Sequence, residues 1–232
     1  MKKFLLVLLL ALIILGGVFY KQILATVDFY QYQQSTEFER AVMVWKEIPF
    51  TSTGRQGIAG DTLTFDALQI PIPFVGNNSV GSDAAFALGG SQSITVTRSD
   101  EAKDFFNNHS FSTTDEKAAC QFLAKSSGLG ACTSNYNLYR SLLELNQSDV
   151  HAFASIRDKT LYNRLLTIRS DAVPSQSVGG FETSRIRGFL FTIDKQNYVA
   201  HIFDSNDQMY TITFTNLNQS DVAFVLSNTT VN

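Results

Sequence analysis

The first strong pattern along the chain is an unbroken apolar run from Phe4 to Phe19, preceded by Lys2 and Lys3. Tyr20 and Lys21 follow, and then Ile23, Leu24 and Ala25. Sixteen helical residues reach about 24 Å at 1.5 Å per residue, a little short of a hydrocarbon core of about 30 Å. A Lys side chain extends such a span by lifting its ammonium to the headgroups, and Tyr suits that interface. Residues 1–25 are therefore expected to be a signal anchor, with the lipid bilayer as partner through residues 4–25. A cleaved signal peptide is the competing reading. Its basic start fits, but the run is long and a small-x-small cleavage site is hard to place. No Cys follows the run to carry a lipid, and the helix lacks the acid of a pilin-type start.

Residues 26–60 read as a connector. Phe38 to Ile48 is apolar enough to pack, as a continued helix or a first strand, and Pro49 ends it. From 61 to 232 the pattern suits one extracytoplasmic domain. Leu63 to Ile70 reads as a strand bounded by Pro71 and Pro73, and Phe86–Leu88 and Ile94–Arg98 as short strands joined through Gly89-Gly90. Helical signals come next. Ser99 heads a segment to Asn107, and Thr113 with Glu116 has capping-box spacing for a helix that stops at Gly128. Tyr136, Tyr139, Leu142 and Leu143 share one helical face. Ser148 is positioned to cap a further helix, with Val150, Phe153, Ile156, Leu161, Leu165 and Ile168 as its buried stripe.

The period then changes to two. Ser184–Ile193, Tyr198–Phe203 and Tyr210–Thr215 read as strands of an antiparallel meander, and Ser220 is expected to start a closing helix. Strands, then helices, then a meander argue an α+β fold, an antiparallel sheet packed with helices behind an N-terminal transmembrane helix. The element order over roughly residues 60 to 232 resembles the PsbP-type α/β/α sandwich. That resemblance rests on topology alone and implies a fold; members of such folds are often non-catalytic accessory proteins.

Composition narrows the classes. Hydrophobic residues make up 44% of the chain and charged residues 17%, and the 19 Phe and 8 Tyr supply a core of useful size. The net charge of −3 comes from scattered groups with no basic run, so no nucleic-acid partner is expected. The export signal adds meaning to the two Cys, Cys120 and Cys132, which are expected to form a disulfide.

Catalytic patterns are scarce. The three His, at 109, 151 and 201, have no metal-ligand spacing, and neither a metal nor a cofactor is expected. Asp204-Ser205-Asn206-Asp207 has oxygen ligands at alternating spacing but lacks the Gly and distal Glu of a calcium loop, so turn chemistry explains it. No Gly-x-Ser-x-Gly, Ser-x-x-Lys or phosphate-binding Gly loop occurs. Arg185 and Arg187 flank Ile186 on an expected strand. With Arg157, Lys159, Arg164 and Arg169 of the long helix they form a candidate anion patch, against the simpler reading of a solvated face.

The expected function is a membrane-tethered binding or accessory domain of the cell envelope, with an envelope protein as partner and no catalytic residue. Its expected place is the inner (plasma) membrane, crossed once, with the domain outside the cytoplasm; bacterial style suggests the periplasm, and cleavage would release it there. Two alternatives stand beside it. One is a small apolar-ligand or lipid-binding domain, motivated by many Phe and few charges. The other is a hydrolase using His201 or His151.

Overall fold

The computed structural model of the protein describes residues 2–35, 44–47, 62–72, 84–87, 91–99, 106–146, 149–150, 154–175 and 177–231. Its architecture is α+β, with two sheets and helices. Helix α1 covers Lys2–Gln33. The strands are β1 Val44–Glu47, β2 Thr62–Phe65, β3 Leu68–Pro71, β4 Ala84–Ala87 and β5 Ser93–Arg98. Helices α2 Thr113–Ser127, α3 Asn135–Glu144 and α4 Ile156–Ala172 follow. The last third holds β6 Ser177–Glu182, β7 Arg187–Thr192, β8 Tyr198–Phe203, β9 Met209–Thr215, helix α5 Gln219–Asn228 and β10 Thr230–Val231.

The large sheet has seven strands in the order β1-β6-β7-β8-β9-β5-β4, and the small one has three, β10-β3-β2. All pairings are antiparallel except β1 on β6, which is parallel and closes one edge. That edge strand comes from the span read as connector.

Alternation along the central strands sends side chains into two cores. Phe189, Phe191 and Phe203 point into a cluster with α2, α3, α4 and Phe29 of α1. Leu190, Ala200, Ile202, Ile212 and Phe214 point the other way, against Leu68 and Ile70 of the small sheet and Val222, Val225 and Leu226 of α5. The layers are therefore helices, large sheet, and a mixed layer of small sheet plus α5. The α/β/α expectation had a purely helical outer layer; here the hairpin of β2 and β3 shares it.

Helix starts follow a repeated local rule. Ser112, Ser155 and Asn218 are extended residues whose side chains accept the backbone N–H of Asp115, Asp158 and Asp221 in turn. Each acid sits three residues past its cap, where an anionic side chain suits the helix dipole. The expected starts at Thr113, Ser148 and Ser220 are corrected accordingly. For the long helix the correction is largest: Val150 is buried ahead of the helix, and Ile156 is exposed at its first position. Ser148, His151 and Phe153 lie outside the described residues, as do Asp100 to Phe105. Ser99 itself bonds Thr211 Oγ1 at 2.7 Å. Gly128 ends α2 as expected, in the left-handed conformation with φ 69°.

Three strand readings also change. Leu63–Ile70 is a hairpin, turned at Asp66 with φ 52°, a conformation that Asp tolerates. Ser184–Ile193 loses its start, because Thr183 Oγ1 accepts the N–H groups of Arg185 and Ile186 and makes 183–186 a turn. Phe86–Leu88 shifts to Ala84–Ala87, and β6 went unread because Gly179-Gly180 dilutes its apolar pattern.

The C-terminal half of α1 packs on α4. Lys159, only 1% exposed, donates to Thr26 Oγ1 at 2.8 Å, and that hydroxyl donates to Gln22 O at 2.7 Å. The Thr26 hydroxyl thus gives the buried Lys159 a hydrogen-bond partner inside the helix pair. Phe29 and Tyr162 meet at 5.9 Å, and Thr167 Oγ1 lies 3.4 Å from Tyr32 Oη. These contacts advance together along both helices, so α1 and α4 run parallel. Among the described residues no helix is long and apolar enough to cross a membrane; the side chains of residues 2–12, 15 and 18 lie outside the description.

Candidate functional site

Helix α3 is the centre of the polar structure on the helical face. Its N-terminus starts at Ser134, whose side chain accepts from Asn137 N at 3.0 Å. The Asp207 carboxylate, from the β8–β9 turn, accepts the N–H of Asn135 and, at 3.2 Å, that of Tyr136. Asn135 also donates its side-chain amide to Asp207 O at 2.9 Å. Four N–H groups at a helix start need partners, and here the protein's own carboxylate fills the place a bound anion would take.

The other end of α3 is met by Arg169, 3% exposed, reaching over from α4. Its Nη1 donates to the carbonyls of Leu142, Leu143 and Leu145 at 3.2, 3.3 and 2.6 Å. Burial lowers the Arg169 pKa to about 10, which leaves it cationic at neutral pH. A carboxylate at the positive end and a guanidinium at the negative end complement the dipole of one short helix.

Beside the start of α3 a cleft of about 290 Å³ lies over Phe106 and Leu138, with Glu116, Ser134, Asn135 and Asp207 in its walls. Cys132 borders it. The structure places Cys132 and Cys120 with Cα atoms 5.6 Å apart, in disulfide geometry. The cleft opens to solvent and its walls are more polar than apolar, unlike the enclosed apolar pocket that a lipid or apolar ligand fills.

The residues of the candidate anion patch have different partners. Arg187 lies 4.2 Å over the Tyr136 ring and 3.6 Å from the Asp207 carboxylate, while Arg185 is exposed in the 183–186 turn. Arg164 covers the Phe111 ring at 3.8 Å and donates to His109 O and Ser110 O. The Ser112 hydroxyl, with the Arg164 guanidinium 3.6 Å away, holds the Asp115 carboxyl below its ordinary range. Lys159 and Arg169 are buried in the contacts already described, and Arg157 is exposed.

His201 sits on β8 facing the helices, 6% exposed, edge-on to Phe191 at 4.9 Å and Tyr139 at 5.8 Å. Its Nδ1 makes no hydrogen bond, and burial lowers its pKa to about 4. A general base needs an orienting partner and a nucleophile in reach. The aromatic surroundings give His201 Nδ1 neither. His151 lies outside the described residues.

The 204–208 turn is held by Asp204, whose Oδ1 accepts Asn206 N and Gln208 N, each at 2.8 Å. Among the described residues no group of three or more His, Cys, Asp and Glu is arranged to hold a metal ion. Sequence reading missed Asp207 and Arg169 as the two clamps of α3. The Asp-rich turn was visible, but nothing local says which helix a turn will meet. No family model, no curated protein and no solved structure matches the chain.

Proposed function

We propose that the chain is a membrane-tethered binding or accessory domain of the cell envelope, anchored through residues 4–25 with its C-terminal domain outside the cytoplasm. One observation carries this reading. Of the ten exposed large hydrophobics among the described residues, eight lie on α1: Ile13, Ile14, Phe19, Tyr20, Ile23, Leu24, Val27 and Tyr30. An apolar helix surface of that extent on a soluble molecule demands a cover, and the flanking Lys2, Lys3 and Lys21 suit a lipid one. The Cys120–Cys132 pairing supports the oxidising side.

The experiment is fractionation followed by alkaline carbonate extraction, with protease added to intact spheroplasts. The expected result is retention in the membrane pellet and digestion of the domain from outside. Release into the soluble fraction, or a domain protected until the membrane is opened, would refute the proposal. The accessory role is tested separately by crosslinking in the cell. A discrete envelope protein is expected as partner, and its absence would leave the tether without a binding role.

A further inference from the structure

We infer that the domain does not hang free below its anchor but rests on the bilayer, with Ile156 and the first turn of α4 set into the headgroup layer. This rests on the tether reading above. Lys159 meets Thr26 and Tyr162 lies against Phe29, so near the start of α4 the parallel helices keep one offset. Continued one turn back, that offset sets Ile156 at the level of Ile23. Ile23 belongs to the apolar surface of α1, 58% exposed, and Ile156 is 37% exposed. Outside α1 the described residues expose just two large hydrophobics, Ile156 and Ile193, and one of them falls at the depth where the anchor leaves the lipid.

The charges at this level agree. Lys21 and Arg157 are both exposed and lie within about one helical turn of Ile23 and Ile156. Asp158 is the acid beside them, half-buried in the cap of α4. Two cations around an exposed Ile suit an interface whose lipids carry phosphate groups. The other exposed hydrophobic marks the far end. Ser175, just past α4, donates to Thr192 O at 2.5 Å, so Ile193 lies near the end of α4 remote from Ile156. Seventeen helical residues separate those ends by about 25 Å.

The buried Lys159–Thr26 hydrogen bond fixes this placement, because α4 cannot lift from the membrane without parting from α1. The occupant of the Ile156 rim is thus the lipid interface rather than a second protein chain.

The test uses the full chain in vesicles of phosphatidylethanolamine and phosphatidylglycerol. Single nitroxides are placed through Ile13→Cys, Ile156→Cys and Ile193→Cys, and collisions with oxygen and with a water-soluble nickel chelate are measured. Expected at 156 is a nickel collision rate several-fold below that at 193, with a raised oxygen rate. Equal nickel rates at 156 and 193, with 13 shielded from nickel, would overturn the docking and leave the anchor standing. Nickel and oxygen rates both depressed at 156 would mean cover by protein, which also overturns it. Nickel access at 13 would remove the anchor and the docking together.

Discussion

On one face of the seven-stranded sheet, Ile94, Val96, Ala200, Ile212 and Phe214 meet the small sheet and α5 through aliphatic and aromatic contact. On the other face, Phe189, Phe191, His201 and Phe203 meet helices that are pinned by charged groups drawn from distant parts of the chain. Asp207 and Arg169 hold the ends of α3, Lys159 holds α1 to α4, and Cys120–Cys132 ties α2 to the turn before α3. The first face depends mainly on shape; its polar links sit at the ends of α5 and at the β2–β3 turn, such as Asn218 to the buried Asp221 at 2.6 Å and Tyr210 to Asp66 at 3.0 Å. The second depends on shape and also on chemistry that pH and reductant can reach. Disturbing the two faces therefore calls for different tools, and that difference can be tested.

The largest effect is expected from the shape-dependent side. A Cβ at Gly188 would lie 2.2 Å from His201 O and 3.1 Å from Ile202 Cα, both backbone atoms of the neighbouring strand. Gly188→Ala is expected to cost about 3 kcal/mol or more, at the upper end for overpacking, read as a fall in the urea midpoint of the detergent-solubilised chain. Next is the disulfide. Its loop, with a sequence separation of 12, is worth about 3 kcal/mol in the chain-entropy model. Reduction should destabilise the chain by that amount, read as a lower urea midpoint, without altering the cost of Gly188→Ala, because the two changes act on opposite faces.

The pH dependence isolates the helical face further. His201 has a folded pKa of about 4 against 6.5 for the free side chain. Between those values the unfolded chain binds a proton that the folded chain refuses, so stability falls as pH drops from 6.5 towards 4. The full loss is of the order of 3 kcal/mol. His201→Leu should flatten that part of the stability–pH curve, and an unchanged curve would assign the dependence to other groups. Arg169→Met is expected to cost about 2 kcal/mol, since charged hydrogen bonds to three carbonyls are lost from a buried helix end. Asp207→Asn keeps an acceptor at the start of α3 but removes its charge. It should cost about 1 kcal/mol, with a larger deficit at low salt than at high salt.

These contrasts also explain what the sequence made legible. The meander, the Tyr136–Leu143 face and the Gly128 stop were readable because each rests on periodicity or on one residue's backbone freedom. The helix starts were misplaced by one to seven residues, because neighbouring Ser, Thr and Asn offer similar caps or, at α4, because an earlier Ser precedes the apolar stripe; the side chains that accept the N–H three residues on are those of Ser112, Ser155 and Asn218. Strands β1 and β6 pair across a sequence distance that no local pattern encodes. The same limit hid the candidate site. Asp207 and Arg169 matter through a helix to which neither belongs, and Lys159 read as a surface charge until Thr26 was beside it.

The continuity of α1 has a mechanical consequence. One helix carries the chain from Lys2 to Gln33 with no break, and its far end is locked onto α4. Such a shaft has no swivel. Turning it about its long axis turns the domain by the same angle, and each residue added or removed before Thr26 would swing the domain by about 100°. The azimuth that the domain presents to its neighbours is thus written into the length of the shaft.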